Sequence, residues 1–182
     1  MLIVTMPLGG ISGGTQCILS FNYGAGNTNR VLKAQKVIGI LCLIYTAVLM
    51  TLAWTCGKYF ILLFSDDSEI IKEALKAIRI STLMILPLAL QYSIVDGFTA
   101  LGQVGLSLFL SLWRKTIYFI AVFVIPLFLV PNMIFLAEPI SDILAVSMAV
   151  PMYFIFNGKI LRKRELLLSN KNNSELTRET AQ

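Results

Sequence analysis

The chain has 182 residues, of which 57% are hydrophobic and 14% are charged, and its formal net charge is +5. The charged fraction lies well below the roughly 25% of ordinary soluble domains, and the mean hydropathy is +0.78. A soluble protein of this length buries a core, but it cannot hide several apolar runs that approach the length of a membrane span. These values exclude an ordinary soluble domain and predict an integral membrane protein.

Five apolar runs predict transmembrane helices, because a helix needs about 20 residues to cross a hydrocarbon core of about 30 Å. Helix is favoured over strand since the runs show no alternation with a period of two, and helices satisfy their own backbone in lipid. In chain order the predicted spans cover residues 2–21, 37–56, 74–95, 106–130 and 133–156. The predicted fold class is therefore all-α and polytopic, with a membrane domain over residues 1–157.

Residues 158–182 form a predicted tail that is first basic and then polar. The run after Ser169 has few apolar residues and many Asn, Ser and Lys, a composition typical of disorder. We therefore expect a disordered tail. Its basic residues are Lys159, Arg162, Lys163 and Arg164.

Basic residues also orient the predicted spans, because short loops rich in Lys and Arg stay in the cytoplasm. The first loop carries Arg30, Lys33 and Lys36 without an acid, whereas charges of both signs balance in the second loop. The pattern predicts a multi-pass protein of the cell membrane, with the N-terminal end outside and the tail in the cytoplasm. An apolar run that begins at the first residue further predicts that the chain is part of a longer protein.

The residue inventory excludes several kinds of chemistry. Histidine is absent, and Cys17, Cys42 and Cys56 show no C-x-x-C spacing, so zinc and haem sites built from these residues are excluded. No G-x-x-x-x-G-K-[ST] loop is present, so ATP is not hydrolysed by that route. The basic residues flank predicted spans, which anionic lipid explains better than nucleic acid. We expect no catalytic residue, no metal site and no nucleic-acid partner.

Residues 13–27 read G-G-T-Q-C-I-L-S-F-N-Y-G-A-G-N. This run resembles the signature of the multidrug and toxic compound extrusion (MATE) family, roughly G-x-x-Q-P, an apolar stretch and N-Y-G-A, with Cys17 in place of the usual Pro. In that family the signature ends the eighth of twelve membrane helices. Further resemblances follow in the family's order: L-F-S-D-D-S-E at 63–69, A-I-R-I at 77–80, A-L-G-Q at 100–103, S-L-W-R at 111–114 and P-I-S-D at 139–142.

The resemblance implies that the chain corresponds to helices eight to twelve, most of the C-terminal half of a twelve-helix transporter. Its partners would be the bilayer, small lipophilic or cationic substrates, and an N-terminal part of seven helices. Such a protein is an antiporter rather than an enzyme. It exports organic cations or amphipathic drugs in exchange for H⁺ or Na⁺, with no cofactor besides the coupling ion. Two other interpretations stay open: a flippase for lipid-linked saccharides from the same superfamily, and a non-transporting membrane partner or truncation product.

Three carboxylates are candidates for coupling the cation. Asp96 stands at the cytoplasmic end of the third predicted span, either as a proton or sodium relay or as an interfacial acid at a helix end. Glu138 and Asp142 stand four residues apart on one helix face. They either share a proton beside an outer vestibule, or lie as acids in the exposed first turn of a helix that Pro139 begins.

Further polar residues are candidates for lining a substrate cavity, although a polar side chain in a bundle equally often joins two helices. Arg114 either lines the inner cavity or extends to the inner headgroups. Gly9 with Gly13, and Gly10 with Gly14, form two G-x-x-x-G pairs, which predict close helix packing or a helix that bends. The candidates for the cavity are Gln16, Asn22, Tyr23, Gln91 and Arg114.

Overall fold

A computed structural model describes residues 2–62, 67–83, 85–128 and 137–179. Within these residues the chain is helical and contains no strand, which confirms the all-α class. Four stretches are long and apolar enough to cross a membrane: Thr28–Leu62, Ser68–Ala100, Val104–Ile125 and Ala137–Asn170. The helices are α1 (Leu2–Gly14), α2 (Gln16–Gly24), α3 (Thr28–Leu62), α4 (Ser68–Leu83), α5 (Ile85–Ala100), α6 (Val104–Phe128) and α7 (Ala137–Glu179).

The first predicted span, residues 2–21, is divided at Thr15 into α1 and α2. The Thr15 hydroxyl donates to the carbonyl oxygens of Ile11 and Ser12 at 3.0 and 2.9 Å, a contact that bends helices. Thr15 keeps right-handed helical angles, with φ −86° and ψ −5°, so the chain does not reverse there. Neither helix alone has the length of a span, so four of the five predicted spans are single long apolar stretches among the described residues, and the first is covered by α1 and α2 together.

The second, third and fifth predicted spans are longer in the structure than in the sequence analysis, and the fourth keeps its length as α6. Within the second predicted loop α3 extends to Leu62 and α4 begins at Ser68, where Asp67 caps it: the Glu69 backbone N–H donates to Asp67 Oδ1 at 2.9 Å. Helices α4 and α5 adjoin residue 84, which lies outside the described residues. The third predicted span lies within the apolar stretch Ser68–Ala100, to which both helices belong.

Two chain reversals use the same turn. After α2, the Asn27 N–H donates to the Asn22 carbonyl at 2.9 Å and the Gly26 N–H to the Tyr23 carbonyl at 3.1 Å. After α5, Gln103 and Gly102 repeat this pattern onto the carbonyl groups of residues 98 and 99. This is the Schellman turn, which needs a residue with positive φ, and Gly26 and Gly102 have φ of 75° and 72°. The Gly residues of the G-A-G-N and A-L-G-Q sequences thus end the two helices.

Helix α5 lies at the centre of the described bundle, because it contacts each of the other six helices. It buries Leu88, Ala89 and Phe98 on different sides. A helix that is apolar on every side is stable where every side is covered, and α5 is the helix that meets this condition. Large apolar side chains on the other helices point outward instead, as with Phe21 and Phe154, which are 77% and 75% exposed. Outward apolar side chains fit contact with lipid.

The described part of the tail, residues 158–179, is helical, whereas the sequence analysis expected disorder there. Helix α7 continues from Ala137 through Glu179 without a break. Leu161 is buried, and Arg164 Nη2 donates to the Gly24 carbonyl at 2.9 Å. The Leu168 side chain rests on Gly26, within 2.5 Å of where a Cβ would stand. Docking on the α2–α3 turn, together with good helix formers, outweighs the polar composition.

A buried amide pair joins α3 to α7. Asn157 Nδ2 donates to Gln35 Oε1 at 2.9 Å, and Gln35 Nε2 donates back to Asn157 Oδ1 at 3.3 Å. The Tyr153 hydroxyl donates to the same Gln35 oxygen at 3.1 Å. Both amides are almost fully buried, so each depends on the other for its hydrogen bonds.

Replacing one member of this pair should destabilise the protein. We expect Gln35→Leu and Asn157→Leu each to lower the free energy of unfolding by about 1–2 kcal/mol, because each leaves a buried amide unpaired. The double variant should cost less than the sum of the two single variants. Unfolding in mixed detergent micelles, followed by circular dichroism, measures all three. Strictly additive losses would contradict a direct interaction between the two amides.

Candidate functional site

Asp96 receives hydrogen bonds from two other helices. The Ser12 hydroxyl of α1 donates to Asp96 Oδ2, and Gln16 Nε2 of α2 donates to Asp96 Oδ1 at 3.0 Å. Ser12 is buried, and Asp96 and Gln16 are half-buried. Asp96 is therefore not a solvated acid at a helix end. A carboxylate with a donor on each oxygen is satisfied in its charged form, because an ionised carboxyl group only accepts.

The sequence analysis named Asp96 and Gln16 separately and missed Ser12. These residues lie 80 and 84 positions apart along the chain, so no local pattern connects them. The available signal was the spacing of Ser12 and Gln16, which stand four residues apart. That spacing places two side chains on one face of a helix. Because Thr15 keeps helical angles, the face continues across the break between α1 and α2.

Asp96 also lines a cavity of about 270 Å³ between α5 and α6. Gln91 lies in the same wall and is 3% exposed, and its Oε1 atom has no hydrogen-bond partner among the described residues. A buried amide oxygen without a partner is available to a ligand or a water molecule. The cavity thus combines a charged group, an unsatisfied acceptor and apolar surface. Its lining residues are Gln91, Tyr92, Val95, Asp96, Ser111, Arg114 and Lys115.

Arg114 and Asp142 form an ion pair between α6 and α7. Arg114 Nε donates to Asp142 Oδ1 at 2.8 Å, and the side chains are 17% and 0% exposed. Arg114 stands ten residues into α6, about 15 Å along its axis. Its guanidinium carbon also lies 6.0 Å from the centre of the Tyr92 ring. Arg114 is thus in the cavity wall, held by two neighbouring helices.

The structure corrects one interpretation of Asp142: its side chain is buried, so it is not an exposed acid at a helix end. Arg114 balances its charge, and the proton shared with Glu138 stays a prediction. Asp142 Oδ2 is buried and has no hydrogen-bond partner among the described residues. Glu138 remains in the first turn of α7 and is half-buried. The two acids therefore have different environments.

Asn22 and Tyr23 lie away from this cavity. Asn22 Nδ2 donates to the Ile18 carbonyl of its own helix at 2.8 Å. Tyr23 lies under the guanidinium of Arg164, 5.6 Å from its carbon, at the α2–α3 turn. Of the cavity candidates, the structure brings Gln91 and Arg114 into the wall with Asp96, and Gln16 into contact with Asp96.

The glycine pairs do not carry close helix packing within the described residues. A Cβ on Gly9 would meet the Tyr92 ring of α5 at 3.8 Å, which is an ordinary contact. Gly10, Gly13 and Gly14 have no other atoms within 4 Å of the corresponding position. The glycine-rich side of α1 is therefore open.

Comparison with known families agrees with this architecture. The family model MatE matches residues 1–124, about two thirds of the chain and most of the helices that build the cavity. The chain belongs to the MatE family. MatE proteins are membrane efflux transporters, so the chain is a transport protein rather than an enzyme. Its MatE match includes Gln16, Asp96 and Arg114, whereas Glu138 and Asp142 lie beyond it. No curated protein and no solved structure matches the chain.

Replacing Arg114, which forms the ion pair, should destabilise the bundle more than replacing the next residue, Lys115. Arg114→Gln leaves the Asp142 carboxylate buried and unpaired, so we expect a loss of about 3 kcal/mol or more in the free energy of unfolding. Lys115→Gln, an exposed charge next in sequence, should change it by less than about 0.5 kcal/mol. The double variant Arg114→Gln/Asp142→Asn should recover most of the loss. Equal effects of the two single variants would show that the pair does not hold α6 and α7 together.

Proposed function

We propose that this chain is part of a secondary active exporter that moves organic cations or amphipathic drugs out of the cell in exchange for H⁺ or Na⁺. The environment of Asp96 carries the proposal. Asp96 is a half-buried carboxylate in the wall of a cavity, and it accepts hydrogen bonds from Ser12 and Gln16 in a different part of the chain. Ionisable groups inside the helix bundle of a membrane protein are energetically costly and usually have a function.

Asp96 is suited to bind the coupling cation. A proton on one carboxyl oxygen would convert that oxygen from an acceptor into a donor, and the side chain bonded to it, such as the Ser12 hydroxyl on Oδ2, would then have to change its hydrogen bond. A sodium ion would instead take oxygen ligands, which Asp96, the Ser12 hydroxyl and the Gln16 amide can offer. Either event changes the contacts between α5 and the α1–α2 pair. Loading of the cation would in this way be linked to the position of α1 and α2.

Exchange follows if substrate and coupling ion compete for the same negative charge. An organic cation in the cavity would have Asp96 as its counter-charge and Tyr92 and Val95 as apolar contacts. A carboxylate that is protonated or bound to Na⁺ no longer attracts that cation. Entry of the coupling ion would then favour release of the substrate, which is the requirement for antiport.

The charge of the cavity favours cationic substrates over the pyrophosphate of a lipid-linked saccharide. Arg114 and Lys115 contribute two positive charges to the wall, but Asp142 neutralises Arg114 at 2.8 Å. The negative charge of Asp96 then offsets the positive charge of Lys115. A flippase for a pyrophosphate substrate would need an excess of positive charge, and this wall has none among the described residues.

The proposal includes the position of the chain in a larger transporter. The order of motifs is that of helices eight to twelve in a twelve-helix protein, and further helices would complete the cavity. The open surface beside Gly10, Gly13 and Gly14 offers a place where another helix could approach closely. The proposed site of action is the cell membrane, with the α2–α3 turn and the basic part of α7 in the cytoplasm.

Cysteine labelling tests this orientation. After Cys17, Cys42 and Cys56 are replaced by Ser, a Ser68→Cys variant should react with an impermeant maleimide in intact cells. An Asn27→Cys variant should react only after permeabilisation. Both positions are exposed, so accessibility differs only by side of the membrane. The reverse pattern would contradict the proposed orientation.

Transport of a fluorescent lipophilic cation tests the role of Asp96. In cells that produce the complete transporter, we expect Asp96→Asn to lower ion-driven ethidium efflux by about tenfold or more. Asn keeps the size of the side chain, its Oδ1 can still accept from Gln16 and its amide can donate to the Ser12 hydroxyl, but it cannot be protonated or carry charge. Membrane insertion and thermal stability should stay close to those of the parent.

Glu73→Gln is the matched control, because it removes an exposed carboxylate on α4 and should leave efflux unchanged. An Asp96→Asn variant that exports at the parental rate, at acid and at neutral pH, would reject Asp96 as the coupling residue. A parental protein that exports no cation but moves a lipid-linked saccharide would support the flippase instead.

A further inference from the structure

A second polar cavity lies at the end of the bundle that carries the α2–α3 and α5–α6 turns. Its volume is about 210 Å³. Three separate parts of the chain contribute to it: Tyr23 from α2, Gln103 from the α5–α6 turn, and Lys159, Ile160 and Lys163 from α7. None of these residues lines the cavity beside Asp96. The two cavities are therefore distinct.

The charge of this cavity is positive. Lys159 and Lys163 stand four residues apart, so they lie on one face of α7, where two like charges repel each other. Neither lysine has an ion pair among the described residues, and no carboxylate lines the cavity. Gln103 directly precedes α6, whose amino-terminal end carries partial positive charge. An anion placed between the lysines would relieve their repulsion.

The part of α7 that carries the lysines is held in place by its neighbours. Arg164 Nη2 donates to the Gly24 carbonyl at 2.9 Å, and Arg164 Nε donates to the Tyr23 carbonyl at 3.3 Å. One turn further along α7, Leu168 rests on Gly26. Helix α7 is thereby fixed to the α2–α3 turn at Arg164 and one turn beyond it. The cavity exists before any ligand arrives, which lowers the cost of binding.

Apolar side chains continue from the cavity along α7. Ile160 lines the cavity, and Phe156, one turn earlier on the same face of α7, is 36% exposed. A molecule with an anionic head and hydrocarbon chains could therefore place its head between the lysines and its chains along this surface. Basic pockets between transmembrane helices are suited to phosphate-bearing head groups.

We propose that this cavity binds the phosphate group of an anionic phospholipid through Lys159 and Lys163. Tyr23 and Gln103 offer a hydroxyl and an amide as further donors. A bound lipid would bridge α2, the α5–α6 turn and α7. The site would serve to hold these elements together at the membrane surface, separately from the transport cavity.

Native mass spectrometry in neutral detergent, with added phosphatidylglycerol, tests the proposal. One molecule should bind tightly to the parental chain. Lys159→Gln/Lys163→Gln should weaken its binding by about 30-fold, roughly fivefold for each lysine. Gln103→Glu, which adds a negative charge to the wall, should also abolish tight binding. Arg30→Gln/Lys33→Gln removes the same number of charges from exposed positions on α3 and should change binding by less than about twofold.

The outcomes separate the sources of the phosphate group. Competition by inorganic phosphate as effective as that by phosphatidylglycerol would assign the site to free phosphate rather than to lipid. Equal losses in the pocket variant and the α3 control would overturn the proposal, because unspecific attraction would then explain binding. Retention of phosphatidylcholine as tight as that of phosphatidylglycerol would overturn it as well.

Discussion

A carboxylate inside an apolar bundle needs hydrogen-bond donors, and Asp96 obtains both of its donors from the amino-terminal helices. This requirement fixes α1 and α2 against α5, which in turn contacts every other described helix. Lipid gives no hydrophobic driving force between helices, so packing and such polar contacts decide how they associate. The position of the first two helices is thus set by the same group that faces the cavity.

Two further polar contacts act in the same way elsewhere in the bundle. The Arg114–Asp142 pair joins α6 to α7, and the Gln35–Asn157 pair joins α3 to α7. Each contact is worth little in isolation, but each leaves a buried polar group unpaired when it is broken. Polar groups therefore specify which helices meet, while the outward apolar side chains specify only that the protein lies in lipid. Two buried polar atoms, Asp142 Oδ2 and Gln91 Oε1, have no hydrogen-bond partner among the described residues.

The sequence predicted the class of fold because composition and the length of apolar runs are properties of single segments. The two reversals fall in predicted loops, but the glycine turns that form them, at Gly26 and Gly102, were not predicted. The sequence did not predict the break at Thr15, the helix α4 or the helical tail, because these depend on local caps and on docking. The cap from Asp67 and the contact of Leu168 with Gly26 are examples.

The sequence predicted individual residues of the candidate site but not which of them lie together. Asp96, Gln16, Gln91 and Arg114 stand out as polar groups in apolar runs, and that signal needs no knowledge of contacts. Their grouping depends on pairing across 80 or more positions, which one sequence does not encode visibly. Arg114 was assigned to a headgroup or a cavity, yet only its 2.8 Å contact with Asp142 locates it within the bundle.

The two Schellman turns have a consequence for biosynthesis. Each turn is closed by hydrogen bonds that span no more than six residues, so it does not depend on any distant part of the chain. The α2–α3 and α5–α6 hairpins can therefore form during insertion into the bilayer, before the helices pack together. Folding then begins from preformed hairpins rather than from separate helices, and the distant polar contacts are needed only for the final assembly.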